Sequence, residues 1–92
     1  MNRPQIESIN TALKIYYENS EIGNKEIISL FGKLSSATLS KLKKIVKNKM
    51  IEDGMPSYSA YKINTKIAFD VWGINVDDLE ERWRKLNKLN LV

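Results

Sequence analysis

The sequence predicts a small all-α domain of about five helices, and it leaves open whether residues 55–63 add a short β wing. Three observations predict this class. Apolar residues recur at steps of three and four along most of the chain, which is the period of amphipathic helices. Gly, Pro and Asn interrupt that period between the stretches. The length of 92 residues suits one domain with a thin core, so residues 1–92 are interpreted as a single domain.

The composition excludes several kinds of chemistry. The chain contains no Cys and no His, which excludes disulfides, zinc-finger sites, thiol nucleophiles and His-based catalysis. It also has no Gly-rich phosphate loop and no paired nucleophile and base. We therefore expect a protein that is not an enzyme and needs no cofactor, metal or small-molecule ligand. No apolar run has the length of a membrane span or the form of a signal peptide, so we expect a cytoplasmic protein without a membrane partner.

The first two helices are predicted over residues 4–18 and 25–31. Pro4 suits the first turn of helix one, Asn24 can cap helix two, and Gly32 can end it. The apolar stripe of the first helix consists of Ile6, Ile9, Leu13 and Tyr16 or Tyr17. The buried face of the second is predicted to consist of Ile27, Ile28 and Phe31.

A third helix is predicted to run from the Ser35-Ser36 pair to about Lys49 or Ile51. Either hydroxyl can accept a hydrogen bond from the free amides of its first turn. Its inward stripe is Leu39, Leu42, Val46 and Met50, with Ile45 beside it. The same period leaves an outward face made of Ser36, Ala37, Ser40, Lys41, Lys43, Lys44 and Lys47.

The chain after residue 51 alternates between turns and short elements. Gly54 and Pro56 mark a turn, and the following stretch with Tyr58, Tyr61 and Ile63 is too brief to distinguish a strand from a linker. The two tyrosines flank the basic helix, where they either contact nucleic acid or cover the core. A fourth helix is predicted from a cap at Asn64 or Thr65 to a stop at Gly73, with Ile67, Ala68, Val71 and Trp72 on it and Ile74 packing back.

The turn between the second and third helices has a distinctive set of residues, which are Phe31, Gly32, Leu34, Ser35, Thr38, Leu39, Ser40, Lys41 and Leu42. In type and order they resemble the helix-turn-helix signature of bacterial and phage DNA-binding proteins. The resemblance covers about 20 of the 92 residues. It implies that the third helix enters the major groove of DNA. Two positions depart from the family pattern: Lys33 lengthens the turn, and Ile28 replaces the usual Ala, which implies a wider helix crossing.

Positive charge is concentrated on the same segment. Residues 27–51 contain six Lys and no acid, a charge of +6, whereas the whole chain carries +4 and the remainder therefore −2. A basic helix with small residues at its entering end suits double-stranded DNA, although a solvated Lys-rich face is the alternative. The absence of Arg limits readout of guanine. The predicted DNA-binding residues are Lys33, Ser35, Ser36, Ala37, Thr38, Ser40, Lys41, Lys44 and Lys47.

The last helix begins after Asn75, and its acidic first turns and basic later turns suit the helix dipole. One stripe along it follows steps of three and four, with the apolar residues Val76, Leu79, Trp83 and Leu86 and the polar Asn90 at its end. Residues 75–92 are therefore a candidate dimerisation helix, with Leu79, Trp83 and Leu86 as the contact residues. The alternative, that this stripe folds back onto the first helix of the same chain, is equally open.

Together these features predict sequence-directed binding of double-stranded DNA through residues 24–50. The small size and the lack of a ligand-binding domain resemble the accessory regulators of phages and mobile elements, which implies transcriptional regulation. The alternative function is a DNA-packaging or architectural protein, similar to a small terminase subunit or an excisionase, that assembles through its C-terminal helix.

Overall fold

The computed structural model describes residues 3–56 and 60–90, except for the side chain of residue 90. Five helices and one two-stranded antiparallel sheet form the fold, which confirms the predicted class. In chain order the elements are α1 (Ile9–Glu18), β1 (Glu21–Ile22), α2 (Asn24–Phe31), α3 (Ser36–Glu52), β2 (Ile63–Asn64), α4 (Thr65–Val71) and α5 (Val76–Asn90).

The sheet joins the chain before α2 to the chain after α3. Glu21 pairs with Asn64, and Ile22 pairs with Ile63. Both isoleucines are fully buried, so the sheet contributes to the core as well as closing the fold. The sequence left a strand or a linker open for residues 57–63, and β2 begins at Ile63. No pattern in the sequence predicts β1. Strands of two residues are too short for an alternating pattern to appear. Tyr58 lies outside the described residues.

The chain around α1 and α2 differs from the prediction at three points. Helix α1 begins at Ile9 rather than residue 4, because Ser8 caps it and the Glu7 amide donates to the Leu30 carbonyl at 2.9 Å. Helix α2 is capped by Gly23, whose amide donates to the Glu26 carboxylate at 2.8 Å, rather than by Asn24. Its buried residues are Ile27, Leu30 and Phe31, whereas Ile28 is exposed.

Helix α3 is held from behind by α4 and β2, which are its closest neighbours. Its predicted inward residues Leu42, Val46 and Met50 are buried. Trp72, at the end of α4, donates from Nε1 to the Leu42 carbonyl at 3.2 Å, and its ring packs edge-on to Phe31 with the centroids 5.4 Å apart. The core therefore fixes the inner side of α3 and leaves its outer side free.

The ends of α4 and α5 follow the predicted signals. Asn64 caps α4 by accepting from the Ile67 amide at 2.9 Å, and Asn75 caps α5 by accepting from the Asp78 amide at 3.0 Å. Between them Gly73 adopts a positive φ, and the Ile74 amide donates back to the Phe69 carbonyl at 2.8 Å. Helix α5 then packs along α1. Within residues 3–56 and 60–90, no helix is both long and apolar enough to cross a membrane.

Candidate nucleic-acid interface

The turn between α2 and α3 depends on Gly32. Its φ is +87°, a left-handed conformation that side chains disfavour, and a Cβ at this position would collide with the Glu7 carboxylate. Lys33 is exposed in the turn, and Leu34 packs against the core. Ile28 lies on the solvent side of α2, so its size does not set the separation of α2 and α3 as the sequence had implied.

Two of the predicted DNA-binding residues form the cap of α3. The Ser35 hydroxyl accepts from the Thr38 amide at 3.2 Å and donates to the Thr38 hydroxyl at 2.9 Å. This confirms Ser35 as the N-cap. Because these two hydroxyls bond to each other, their first role is to begin the helix. Ser36 and Ala37 remain exposed in the first turn.

The outer face of α3 carries four exposed side chains along one line. Ala37, Lys41, Lys44 and Asn48 follow each other at steps of four, three and four, and we call them the α3 basic face. Ser40 is exposed beside them. Neither of these lysines forms an ion pair with any residue in the described part of the chain. Asn48 is not among the residues predicted from the sequence, although its helical spacing from Lys41 and Lys44 places it on the same face.

Two further lysines are attached to the chain that approaches β2. Lys43 donates from Nζ to the Asn24 side-chain oxygen and to the Tyr61 carbonyl, both at 3.0 Å, and Lys47 donates to the Ala60 carbonyl at 2.8 Å. Partial burial and the nearby Lys47 charge lower the pKa of Lys43. Lys47 was predicted to bind DNA, but in the structure its ammonium group bonds to Ala60 and helps to hold this part of the chain beside α3.

The cleft between these lysines is lined by Ser40, Lys43, Lys44 and Lys47 and has a volume of about 300 Å³. Lys43 and Lys47 donate to backbone carbonyls, whereas Lys44 forms no ion pair with the described residues. Partial burial is the main cause of the lowered pKa of Lys43, and repulsion between the like charges of Lys43 and Lys47 adds to it. An anion such as a phosphate would relieve that repulsion.

At the end of α3 the positive charge is neutralised. Lys49 lies 3.3 Å from the Asp53 carboxylate and 3.6 Å from Glu52. The hydrogen bond with Asp53 raises the pKa of Lys49, as do the charges of both acids. The +6 charge of residues 27–51 is thus not one uniform surface. Lys33, Lys41 and Lys44 face solvent, whereas the other three lysines bond to carbonyls or acids.

Tyr61 does not cover the core, since its side chain is largely exposed near the start of β2. Its carbonyl accepts the hydrogen bond from Lys43, so it stands beside α3. This position excludes the alternative that Tyr61 covers the core. Contact with nucleic acid stays a prediction for Tyr61.

The predicted dimerisation residues divide into two groups. Leu79 is only 8% exposed and belongs to the core, so it is not available to a second chain. This corrects the prediction for that residue: the first half of α5 folds back onto α1, as the alternative had it. Trp83 and Leu86, further along the helix, are 43% and 49% exposed.

Comparison with known proteins adds no identification. No model of a known protein family matches the chain, and no curated protein or solved structure is similar enough to count as a match.

Proposed function

We propose that this protein binds double-stranded DNA through the α3 basic face. The observation that carries the proposal is the arrangement of Lys41 and Lys44, which are exposed and unpaired among the described residues on a helix fixed from behind by α4 and β2. Lysines without acidic partners keep their charge available for phosphates. The α5 basic residues differ, because three of them pair with acids one turn earlier.

The shape of α3 supports the same function. The major groove, about 12 Å wide, admits one helix, and the exposed Ser36 and Ala37 are small enough to let the start of α3 approach the base edges. Lys41 and Lys44 then reach phosphates or bases further along. Asn48 supplies an amide of the kind that pairs with adenine. Without Arg on this face, part of the specificity comes from DNA shape.

The biological role we propose is transcriptional regulation of the phage or mobile-element type, carried out in the cytoplasm. It rests on the helix-turn-helix resemblance of residues 24–50. The packaging or architectural alternative is favoured by one observation, the exposed Trp83 and Leu86 on α5, which suit assembly. The two roles differ in the size of the assembly and in the specificity of binding.

A salt titration tests DNA binding. Anisotropy of a labelled duplex is measured between about 50 and 300 mM salt for the wild type and for the double variant Lys41→Gln, Lys44→Gln. We expect the log-log slope of the wild type to be steep, and the double variant to lose about two units of it, since each phosphate contact contributes about 0.9. No wild-type binding at low salt, or binding independent of salt, would contradict the proposal.

The matched control is Lys25→Gln, Lys66→Gln, which removes the same charge from two exposed lysines of α2 and α4 that form no ion pair with the described residues. If net charge alone attracts DNA, both double variants lose equal affinity. If α3 is the interface, the α3 variant loses most of its affinity for DNA and the control variant keeps most of its own. Selection of bound sequences from a random library then decides the role: one recovered motif favours a regulator, and none favours packaging.

A further inference from the structure

An apolar surface lies between α1 and α5, on the side of the domain where these two helices pack together. Tyr17 of α1 is 64% exposed, and Leu89 of α5 is 71% exposed, in addition to Trp83 and Leu86. We call these four residues the α1/α5 patch. At its α1 end is a mostly apolar groove of about 410 Å³ with Leu13, Tyr17 and Trp83 in its lining.

The patch has about the apolar area that one side of a stable dimer interface contains. At about 200 Å² for each large side chain, the exposed fractions leave roughly 450 Å² of accessible surface on the four residues. A standard interface buries about 800 Å² on each partner, of which somewhat more than half is apolar. The patch alone therefore supplies most of the apolar area of one side of such an interface.

The patch also contains both halves of a self-complementary contact. The groove lies beside Trp83, at the middle of α5, and the projecting residues Leu86 and Leu89 follow it towards the helix end. A two-fold axis near Trp83 would seat the Leu86 and Leu89 end of each copy on the groove of the other. Such an isologous contact closes after two copies.

The charges of α5 select the direction of that contact. Its first six residues carry four acids and no base, and residues 82–90 carry four bases and no acid. Antiparallel helices bring the acidic half of one copy towards the basic half of the other. Parallel helices would bring like charges together, which is unfavourable.

We propose that the α1/α5 patch is the interface with a second copy of this chain, in a two-fold dimer with antiparallel α5 helices. The dimer goes beyond DNA binding and does not depend on it. Helix α3 packs mainly on α4 and β2, whereas α5 packs mainly on α1. Covering the patch therefore leaves the α3 basic face of both copies exposed.

Sedimentation of the full chain without DNA tests the interface, at concentrations from about 5 to about 500 µM, a range that includes weak interfaces of this size. We expect a dimer for the wild type and at least a tenfold weaker association for Leu86→Ser, Leu89→Ser with an unchanged helical circular dichroism spectrum. The matched control Ile28→Ser, Ile51→Ser changes two exposed isoleucines elsewhere and keeps the dimer. A wild-type monomer throughout, a ring, or a dimer insensitive to the α5 variant would overturn the proposal.

Disulfide trapping tests the direction, because the chain has no Cys of its own. Glu80→Cys and Asn87→Cys place thiols about equally far on either side of Trp83 along α5. In an antiparallel dimer the mixture of the two variants forms a mixed disulfide, and each variant alone forms little. Disulfides within each single variant, or none in the mixture, would overturn the antiparallel arrangement. The trapping result is independent of any DNA measurement, so either proposal can fail alone.

Discussion

Helices α3 and α5 are the two longest in the described chain, and both carry several basic residues, yet they present opposite surfaces. In α5 each of three bases follows an acid by one turn, with N–O distances of 3.0 Å for Asp78 and Arg82, 3.4 Å for Glu81 and Lys85, and 4.0 Å for Glu80 and Arg84. The α3 basic face contains no acid, and the two acids at the end of the helix, Glu52 and Asp53, pair with Lys49. On our proposal, the pairing of charges, more than their number, distinguishes the surface that binds DNA from the one that does not.

The apolar sides of the same helices differ as well. The inward residues of α3 lie under α4 and β2, and Trp72 bonds directly to the α3 backbone. On α5 only the first half is covered, and its aromatic residue Trp83 is half exposed. One helix thus offers charge to a partner, and the other offers apolar area.

The largest expected effect is on folding. Trp72→Ala should lower the free energy of unfolding by about 3 to 5 kcal/mol, because it opens a cavity and removes the bond to Leu42. Trp83→Ala should lower it by less, about 1 to 2 kcal/mol in dilute protein, since nearly half of its surface is already exposed to solvent. Urea denaturation followed by circular dichroism measures both. Equal losses would remove the contrast between the two helices.

The next effect concerns specificity. Asn48→Ala should reduce the preference for the selected DNA site over a single-base mismatch by about 1 to 3 kcal/mol if its amide pairs with an adenine. The salt slope should stay unchanged, because Asn48 carries no charge. Competition titrations with matched and mismatched duplexes measure the difference. Loss of salt slope instead would mean that the substitution had disturbed α3 itself.

A single-lysine comparison tests whether pairing is what matters. Lys44→Gln should weaken DNA binding by about 1 kcal/mol and reduce the salt slope by about one unit. Lys49→Gln removes the same charge from the same helix, but Lys49 already pairs with Asp53 and Glu52. We expect it to change binding less than twofold. Equal losses from both variants would show that pairing with acids does not shield Lys49 from DNA.

The smallest effect is a dependence of stability on pH. Burial and the Lys47 charge lower the pKa of Lys43 in the folded chain, so the unfolded chain binds more protons at this site in alkaline solution. Stability from this group therefore rises as pH increases from the lowered pKa of Lys43 towards the ordinary lysine value. Between pH 7 and pH 10, the unfolding midpoint of the wild type should rise relative to that of Lys43→Met. A fall of the wild-type midpoint relative to that of Lys43→Met over this pH range would contradict the expected sign of the pH dependence.

Local signals made the starts of α3, α4 and α5 predictable, but not those of α1 and α2. Ser35, Asn64 and Asn75 cap helices as their side chains suggested, since a cap bonds within three residues of itself. The two strands were not predictable in place, because a two-residue strand is defined by its partner and not by its own pattern. The period of α2 fits either Ile28 or Leu30 as a buried residue, and only packing against α1 and the sheet decides between them.

The candidate site was predictable as a segment but not as a set of contacts. The lysines of α3 share one helix, so their concentration is visible in the sequence. Which of them bond to carbonyls depends on residues 60–61 returning beside α3, a contact between distant parts of the chain. The burial of Leu79 and the exposure of Trp83 likewise depend on how α5 packs against α1, which is also a contact between distant parts of the chain. Helical spacing gives both residues the same face and cannot separate them.

The two-residue ladder between β1 and β2 has a consequence for how the domain is made. Its pairs join positions about forty residues apart and enclose both α2 and α3. Bringing the ends of such a segment together has an entropic cost of roughly 3 kcal/mol, and only contacts formed after closure offset it. The two helices are thus expected to become ordered late and together, when Ile22 and Ile63 meet. A peptide of residues 24–52 would lack that closure and should be largely unfolded in isolation.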